Sequence, residues 1–218
     1  MGRAFIFDLN GTMIDDMQYH VKAWYHILND DLGAKMNWEE VKSHMYGKNA
    51  ELLVRVFGKD KFTPQQMNAI SLEKEKRYQQ AYRPHLRLIP GLDGFLEKAH
   101  SLNVPMAIGS AAIMFNIDFV LDNLGIRHFF KAIVSADDVR YSKPDPETYT
   151  KAALELGVDP GHCLVFEDAP KGVEAAQNAG MKSVVLTLLH EKHEFAGYPN
   201  IVRYIENYEN LSPADLLK

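Results

Sequence analysis

The sequence predicts an α/β fold, a doubly wound parallel sheet interrupted by an all-helical insert. Three observations lead there. Short apolar runs recur along the 218 residues and read as strands covered on both faces. Amphipathic stretches of helical period separate them, the alternation that a parallel sheet requires. From about Asp16 to Tyr82 the helical period persists with no strand between, which marks an insertion.

The first strand is expected at Ala4–Phe7, four apolar residues ending at Asp8 and the turn Leu9-Asn10-Gly11-Thr12. In the insert, Met17, Val21, Trp24 and Leu28 form one stripe, and Leu52, Leu53, Val56 and Phe57 another. Thr63-Pro64-Gln65-Gln66 reads as a helix start, with Thr at the cap, Pro in the first turn and Gln returning the cap. The helix it opens places Met67, Ile70, Lys74, Tyr78 and Ala81 on one side. The chain passes into the insert near Thr12–Asp15 and out near Arg83–Pro90, so the core is expected over 1–15 and 85–218 and the insert over 16–84, acting as a lid.

Beyond the insert, Leu92, Phe95, Leu96, Ala99 and Leu102 keep helical spacing ahead of a strand at Val104–Ile108. A helix from Ile113 to Leu124 precedes a strand at Ala132–Val134. Tyr149, Ala152, Ala153 and Leu156 form the next stripe, stopped by Gly157. Strands follow at Cys163–Phe166 and Ser183–Leu186, with Val173, Ala176 and Ala179 between them. Ile201–Ile205 is expected to add an edge strand.

Composition narrows the function classes. A hydrophobic content of 46% is that of a packed globular protein rather than a disordered one. The net charge of −5 and the lack of a Lys/Arg block speak against nucleic-acid binding. No apolar stretch reaches the roughly 20 residues of a membrane helix. No basic-then-apolar leader is apparent, and the single Cys163 fits a reducing compartment, so a cytoplasmic protein is expected, its thiol buried as a small hydrophobe.

Four groups fall in loops after strands, where open α/β sheets gather ligands. They are Asp8 with Asn10, Gly11 and Thr12; Gly109-Ser110-Ala111; Ser142-Lys143-Pro144-Asp145-Pro146; and Glu167-Asp168-Ala169-Pro170-Lys171-Gly172. Phosphoryl transfer uses such a set. A carboxylate attacks phosphorus and forms an aspartyl-phosphate. Asp8 and Asp168, from neighbouring strands, suit Mg²⁺, which takes one or two carboxylates besides water and phosphate oxygen. Ser110 suits a phosphate oxygen at a helix start, and Lys143 supplies a positive charge. Each residue also has a plain structural use. Asp8 can cap a turn, Ser110 the helix that follows, and Asp168 the helix near Pro170. Lys143 can be a solvated loop lysine, and Glu167 a solvated partner of Lys171.

Together, Asp8-Leu9-Asn10-Gly11-Thr12, Gly109-Ser110, Ser142-Lys143-Pro144 and Glu167-Asp168 resemble the haloacid dehalogenase superfamily over nearly the whole chain. Tyr19-His20-Val21-Lys22-Ala23-Trp24 and the stretch from Asp145-Pro146 to Gly157 are similar to its β-phosphoglucomutase-like branch. The resemblance implies a Rossmann-like core with a helical-bundle cap. It implies Mg²⁺ held by Asp8, the Asn10 backbone carbonyl and Asp168, with Glu167 as a supporting carboxylate. Asp8 would be the nucleophile, and Ser110, Ala111 and Lys143 would contact phosphate beside Thr12. His20, Trp24 and Lys48 would contribute from the cap. A small phosphorylated metabolite as substrate and a monomeric state follow from the same likeness.

Asn10 departs from the family pattern, which carries there an aspartate that moves protons. An amide can hydrogen-bond a leaving oxygen but holds no titrating proton. Losing a positioned acid/base costs about 10²–10⁴-fold in rate. His20 is a candidate replacement base, its alternatives being to orient the loop or to pack beside Trp24. In Met45-Tyr46-Gly47-Lys48-Asn49, Tyr46 and Ala50 fall where sugar phosphomutases carry basic residues, with Lys48 or Arg55 as possible substitutes. Ala112 and Ile113 likewise replace polar groups after Ser110. A slow Mg²⁺-dependent phosphohydrolase is therefore favoured. A β-phosphoglucomutase-like isomerase and a catalytically silent phosphometabolite-binding protein stand as alternatives.

Overall fold

A computed structural model describes residues 4–217. Six strands form one parallel sheet: β1 (Ala4–Phe7), β2 (Met106–Gly109), β3 (Ala132–Val134), β4 (Cys163–Glu167), β5 (Lys182–Leu186) and β6 (Ile201–Ile205). Their order is β3-β2-β1-β4-β5-β6, so the direction of winding reverses between β1 and β4. A reversal of this kind opens a crevice at the carboxyl ends of the two strands.

Nine α-helices occur among the described residues. Within the insert lie α1 (Met17–His26), α2 (Trp38–Ser43), α3 (Asn49–Phe57) and α4 (Pro64–Tyr82). The remainder are α5 (Leu92–Ser101), α6 (Met114–Leu124), α7 (Glu147–Leu156), α8 (Pro170–Asn178) and the short α9 (Pro213–Leu216). The chain divides into two compact units, Asp16–Leu86 and the rest. No helix among the described residues is long and apolar enough to cross a membrane.

In the α/β unit, β1 shows why its apolar residues run without interruption. Successive side chains leave a strand on opposite faces. Ala4 and Ile6 join a core with Ala152 and Ala153 of α7 and Ala175 and Ala176 of α8. Phe5 and Phe7 meet Phe95 of α5 and Phe166 of β4 instead. The Phe7 and Phe166 rings stack at 4.5 Å and 10°, side by side in the sheet register.

The helical unit has its own core, in which Val21, Trp24, Leu28, Leu52 and Leu53 are buried. Thr63 and Gln66 form the expected reciprocal cap of α4. The buried side of α4 matches the expected one at Lys74 and Tyr78 and departs from it elsewhere. Ser71, Lys74, Glu75, Tyr78 and Tyr82 are buried, while Met67 and Ile70 are only partly so. Buried polar groups need partners, and these have them: Ser71 donates to the Met67 carbonyl, and Lys74 to Glu75. A π-helical turn at Ile27–Asp31 follows α1.

Of the element boundaries that move, three have evident local reasons. β2 begins at Met106 instead of Val104, because the Val104 N–H closes the end of α5 onto the Ala99 carbonyl and Pro105 has no N–H. The helix expected from Ile113 starts at Met114, whose N–H donates to Asp137 Oδ2, a cap from a distant loop. The strand expected to end at Phe166 extends through Glu167, which pairs with Val185 of β5.

Candidate active site

Asp8 follows β1, and its N–H donates to the Phe166 carbonyl of β4, which locks the ends of the two strands together. Glu167 ends β4 and Asp168 comes next. One oxygen from each of Asp8, Glu167 and Asp168 lies within 4.8 Å of the others, and all three residues are buried. Lys143, from the long loop after β3, reaches into the cluster. Its Nζ donates to Asp8 Oδ1 at 2.7 Å, Glu167 Oε1 at 2.8 Å and the Gly109 carbonyl at 3.1 Å.

The supporting bonds fix each carboxylate. Thr12 Oγ1 donates to Asp168 Oδ1 at 3.0 Å. Glu167 Oε2 accepts the N–H groups of Asp168 and Ala169, both at 2.9 Å. Tyr149, on the buried side of α7, donates its hydroxyl to Glu167 Oε1 at 2.8 Å, and its ring lies 4.6 Å from Lys143 Nζ. Two glycines make room. Gly11 has φ +79°, and a Cβ there would stand 2.2 Å from Asp168 Oδ2. A Cβ on Gly172 would stand 1.7 Å from Glu167 Oε1.

Three carboxylates face one ammonium in this cluster. Burial pushes the Asp168 carboxyl well above the usual carboxylate range, and the charges of Glu167 and Asp8 push it the same way. Burial lowers the Lys143 pKa, but Asp8 and Glu167 outweigh it and hold the ammonium charged. Burial also raises the Tyr149 hydroxyl, as do the neighbouring carboxylates. The formal excess of negative charge, on oxygen donors alone, fits a hard divalent cation such as Mg²⁺.

The other expected residues are placed as follows. Thr12 is fully buried in the turn and Asn10 is half-buried in the same turn, bridged to Ile14. Ser110 is buried at the end of β2, and its Oγ accepts the Ala112 N–H at 3.1 Å. It does not cap α6, whose N-cap is Ile113, and it does not stand at the helix start. Ala111 beside it is exposed. Asp168 is not the cap of α8 either, since Ala169 holds that position without a side-chain bond. Neither Glu167 nor Lys143 is solvated, because the turn of the sheet ends packs both into the cluster.

His20, Trp24 and Lys48 belong to the helical unit. His20 is buried there, with Nδ1 2.6 Å from Lys74 Nζ, Nε2 3.2 Å from Asp16 and its ring stacked 3.7 Å from that of Tyr78. Trp24 lies in the apolar core of that unit. Lys48 precedes α3, its N–H donating to Glu51. Sequence reasoning placed Tyr149 only in a helix stripe. The available signal was a hydroxyl on an otherwise apolar face, since buried Tyr needs a partner.

The sequence model of a family described as haloacid dehalogenase-like hydrolase matches residues 5–186. Fructose-1-phosphate phosphatase YqaB of Escherichia coli is 31% identical over 197 residues, covering 85% of this chain and 97% of that protein. β-Phosphoglucomutase of Bacillus subtilis is 32% identical over 189 residues, covering 84% and 82%. Among solved structures, an aspartate-to-asparagine variant of CbbY from Rhodobacter sphaeroides, in complex with xylulose 1,5-bisphosphate, superposes with a TM-score of 0.86 at 26% identity, covering 99% of both chains.

Proposed function

The chain belongs to the haloacid dehalogenase-like hydrolase family as a phosphatase or phosphotransferase, and from that premise we propose a Mg²⁺-dependent phosphohydrolase that forms an aspartyl-phosphate on Asp8. Its substrate is a small phosphorylated metabolite, and Asn10 makes it slow. It works as a cytoplasmic monomer, with the helical insert as its cap. The observation that supports this reading best is the Lys143 ammonium shared by Asp8 and Glu167, with Asp168 in the same buried cluster.

An Asp8 oxygen bonds to phosphorus as the bond from phosphorus to the substrate alcohol breaks. The departing oxygen takes its proton from water, because Asn10 offers an amide N–H and no titrating proton. Water then attacks the aspartyl-phosphate, restoring the Asp8 carboxylate and releasing phosphate, with the surplus proton passing to solvent. Lys143, the Ser110 hydroxyl and Ala111 hold the phosphoryl oxygens. Asp8, Asp168 and the Asn10 carbonyl would hold Mg²⁺, supported by Glu167, and the ion would supply charge stabilisation to the phosphoryl group.

The likeness to β-phosphoglucomutase favours a second reading, an isomerase of sugar phosphates. Asn10 favours a third, a binding protein that retains the pocket without turnover. Incubation with Mg²⁺ and a panel of phosphorylated metabolites, fructose 1-phosphate included, distinguishes them. Phosphate release that falls roughly 10⁴-fold in Asp8→Ala is the expected result. Bisphosphate-dependent interconversion of hexose phosphates identifies the isomerase, and saturable binding without release identifies the binding protein.

A further inference from the structure

The family's sequence model stops at residue 186, yet a side chain well beyond it touches the turn that carries Asp8. Tyr208 follows β6 and is 1% exposed. Its hydroxyl donates to the Thr12 carbonyl at 3.0 Å, across 196 residues of sequence. Its ring packs against Phe95 at 5.6 Å and Phe166 at 5.9 Å. Phe166 is in turn stacked on Phe7, the residue before Asp8.

The segment is seated as firmly as the side chain. The Tyr208 N–H donates to the Pro90 carbonyl at 2.9 Å. Gly91 has φ +81°, and a Cβ there would stand 2.4 Å from the Glu209 nitrogen, so the tail passes this point only because the residue is glycine. At the other end of the Thr12 residue, Oγ1 donates to Asp168 Oδ1. A single residue thus accepts from Tyr208 through its backbone and orients Asp168 through its side chain.

We infer that Tyr208 is a positioning residue of the phosphotransfer site, setting the Thr12 peptide and through it the aim of the Asp168 carboxylate. The inference rests on the reading of Asp8 and Asp168 as a cation site. The Tyr208 hydroxyl is hydrogen-bonded to the Thr12 carbonyl rather than to a carboxylate. Removing the hydroxyl takes away one of two anchors of the Thr12–Met13 peptide, leaving the Met13 N–H on the Leu9 carbonyl at 2.8 Å. The turn then loosens and the aim of Asp168 with it, while the ring still fills its place in the core.

Titration of the protein with MgCl₂, followed by calorimetry, tests this without turnover. Loss of one hydrogen bond is expected to weaken Mg²⁺ binding about three- to tenfold in Tyr208→Phe. Thr12→Val should do the same, and the double variant should lose little more than either single one, because both act along one path. Additive losses, or a lowered melting temperature with Mg²⁺ affinity within twofold of the parent, overturn the inference. Asp8→Ala separates it from the underlying reading. Mg²⁺ binding that survives Asp8→Ala sinks the cation site and this role together. Binding lost in Asp8→Ala but unmoved in Tyr208→Phe sinks the role of Tyr208 alone. Should Tyr208→Phe not fold, amide exchange in the parent decides. Leu9–Ile14 and Tyr208–Leu211 are expected to slow together on Mg²⁺ saturation, and slowing of the turn alone overturns the role.

Discussion

Both units bury ionisable side chains, and they balance them differently. In the α/β unit, Asp8, Glu167 and Asp168 surround one ammonium, that of Lys143. In the helical unit, Asp16 and Glu75 meet Lys74 and His20, and Tyr78 and Asn49 add a hydrogen bond to each carboxylate. The consequences differ in sign. Burial and two like charges push the Asp168 carboxyl up, whereas the Glu75 carboxyl is held low: burial opposes its ionisation, but Lys74, His20 and Asn49 outweigh it. A cluster that satisfies itself holds a fold together, while one with surplus charge of one sign has room for a ligand of the other. Burial of charge by itself marks no site; the imbalance does.

The largest effect that sharpens this contrast is expected from Asn10→Asp, which restores a titrating group beside the surplus-charge cluster. Phosphate release should rise about 10²–10⁴-fold in a steady-state assay. An unchanged rate would mean that the missing proton is not what limits turnover.

Lys74→Met tests the balanced cluster. Removing one partner of a buried ion pair costs about 3–5 kcal/mol of stability, read by urea denaturation. Mg²⁺ affinity at the Asp8 cluster should not move, and a parallel loss there would break the contrast. The pH dependence follows the same logic. The folded-state pKa of Glu75 lies below its ordinary 4.5, so its contribution is present above that pH and disappears as pH falls through the lower folded value. Lys74→Met should flatten that acid limb.

Gly172→Ala is the smallest change. The added methyl would overlap Glu167 Oε1, and overpacking of this kind costs about 1–3 kcal/mol. Thermal unfolding reads the cost, and weakened Mg²⁺ binding reads the displaced carboxylate. A stable variant with parental Mg²⁺ affinity would remove Glu167 from the cation site.

Local signals carried much of this into the sequence. Unbroken apolar runs marked the strands, because a strand covered on both faces has no polar side to alternate. Asp8, Ser110 and Asp168 were legible because each follows directly on a strand end, and Lys143 because it precedes a proline in the loop after β3. What escaped depends on partners remote in sequence. Asp137 caps α6 from another loop, Tyr149 finds Glu167 only after α7 packs, and Tyr208 reaches Thr12 from the far end of the chain. The buried polar side of α4 was hidden for the same reason, since Glu75 is tolerable inside only beside Asn49 and Lys74. Helical period alone favours Met67 and Ile70.

The pairing of β1 with β4 has a consequence for how the protein is made. β1 also pairs with β2, which leaves the ribosome long before β4 does. A nascent chain can therefore zip one flank of Ala4–Phe7 while the other stays open, and Thr12 waits across 156 residues for Asp168. Cation affinity can then arise only after Asp168 has been made, and until β4 arrives one edge of β1 is bare.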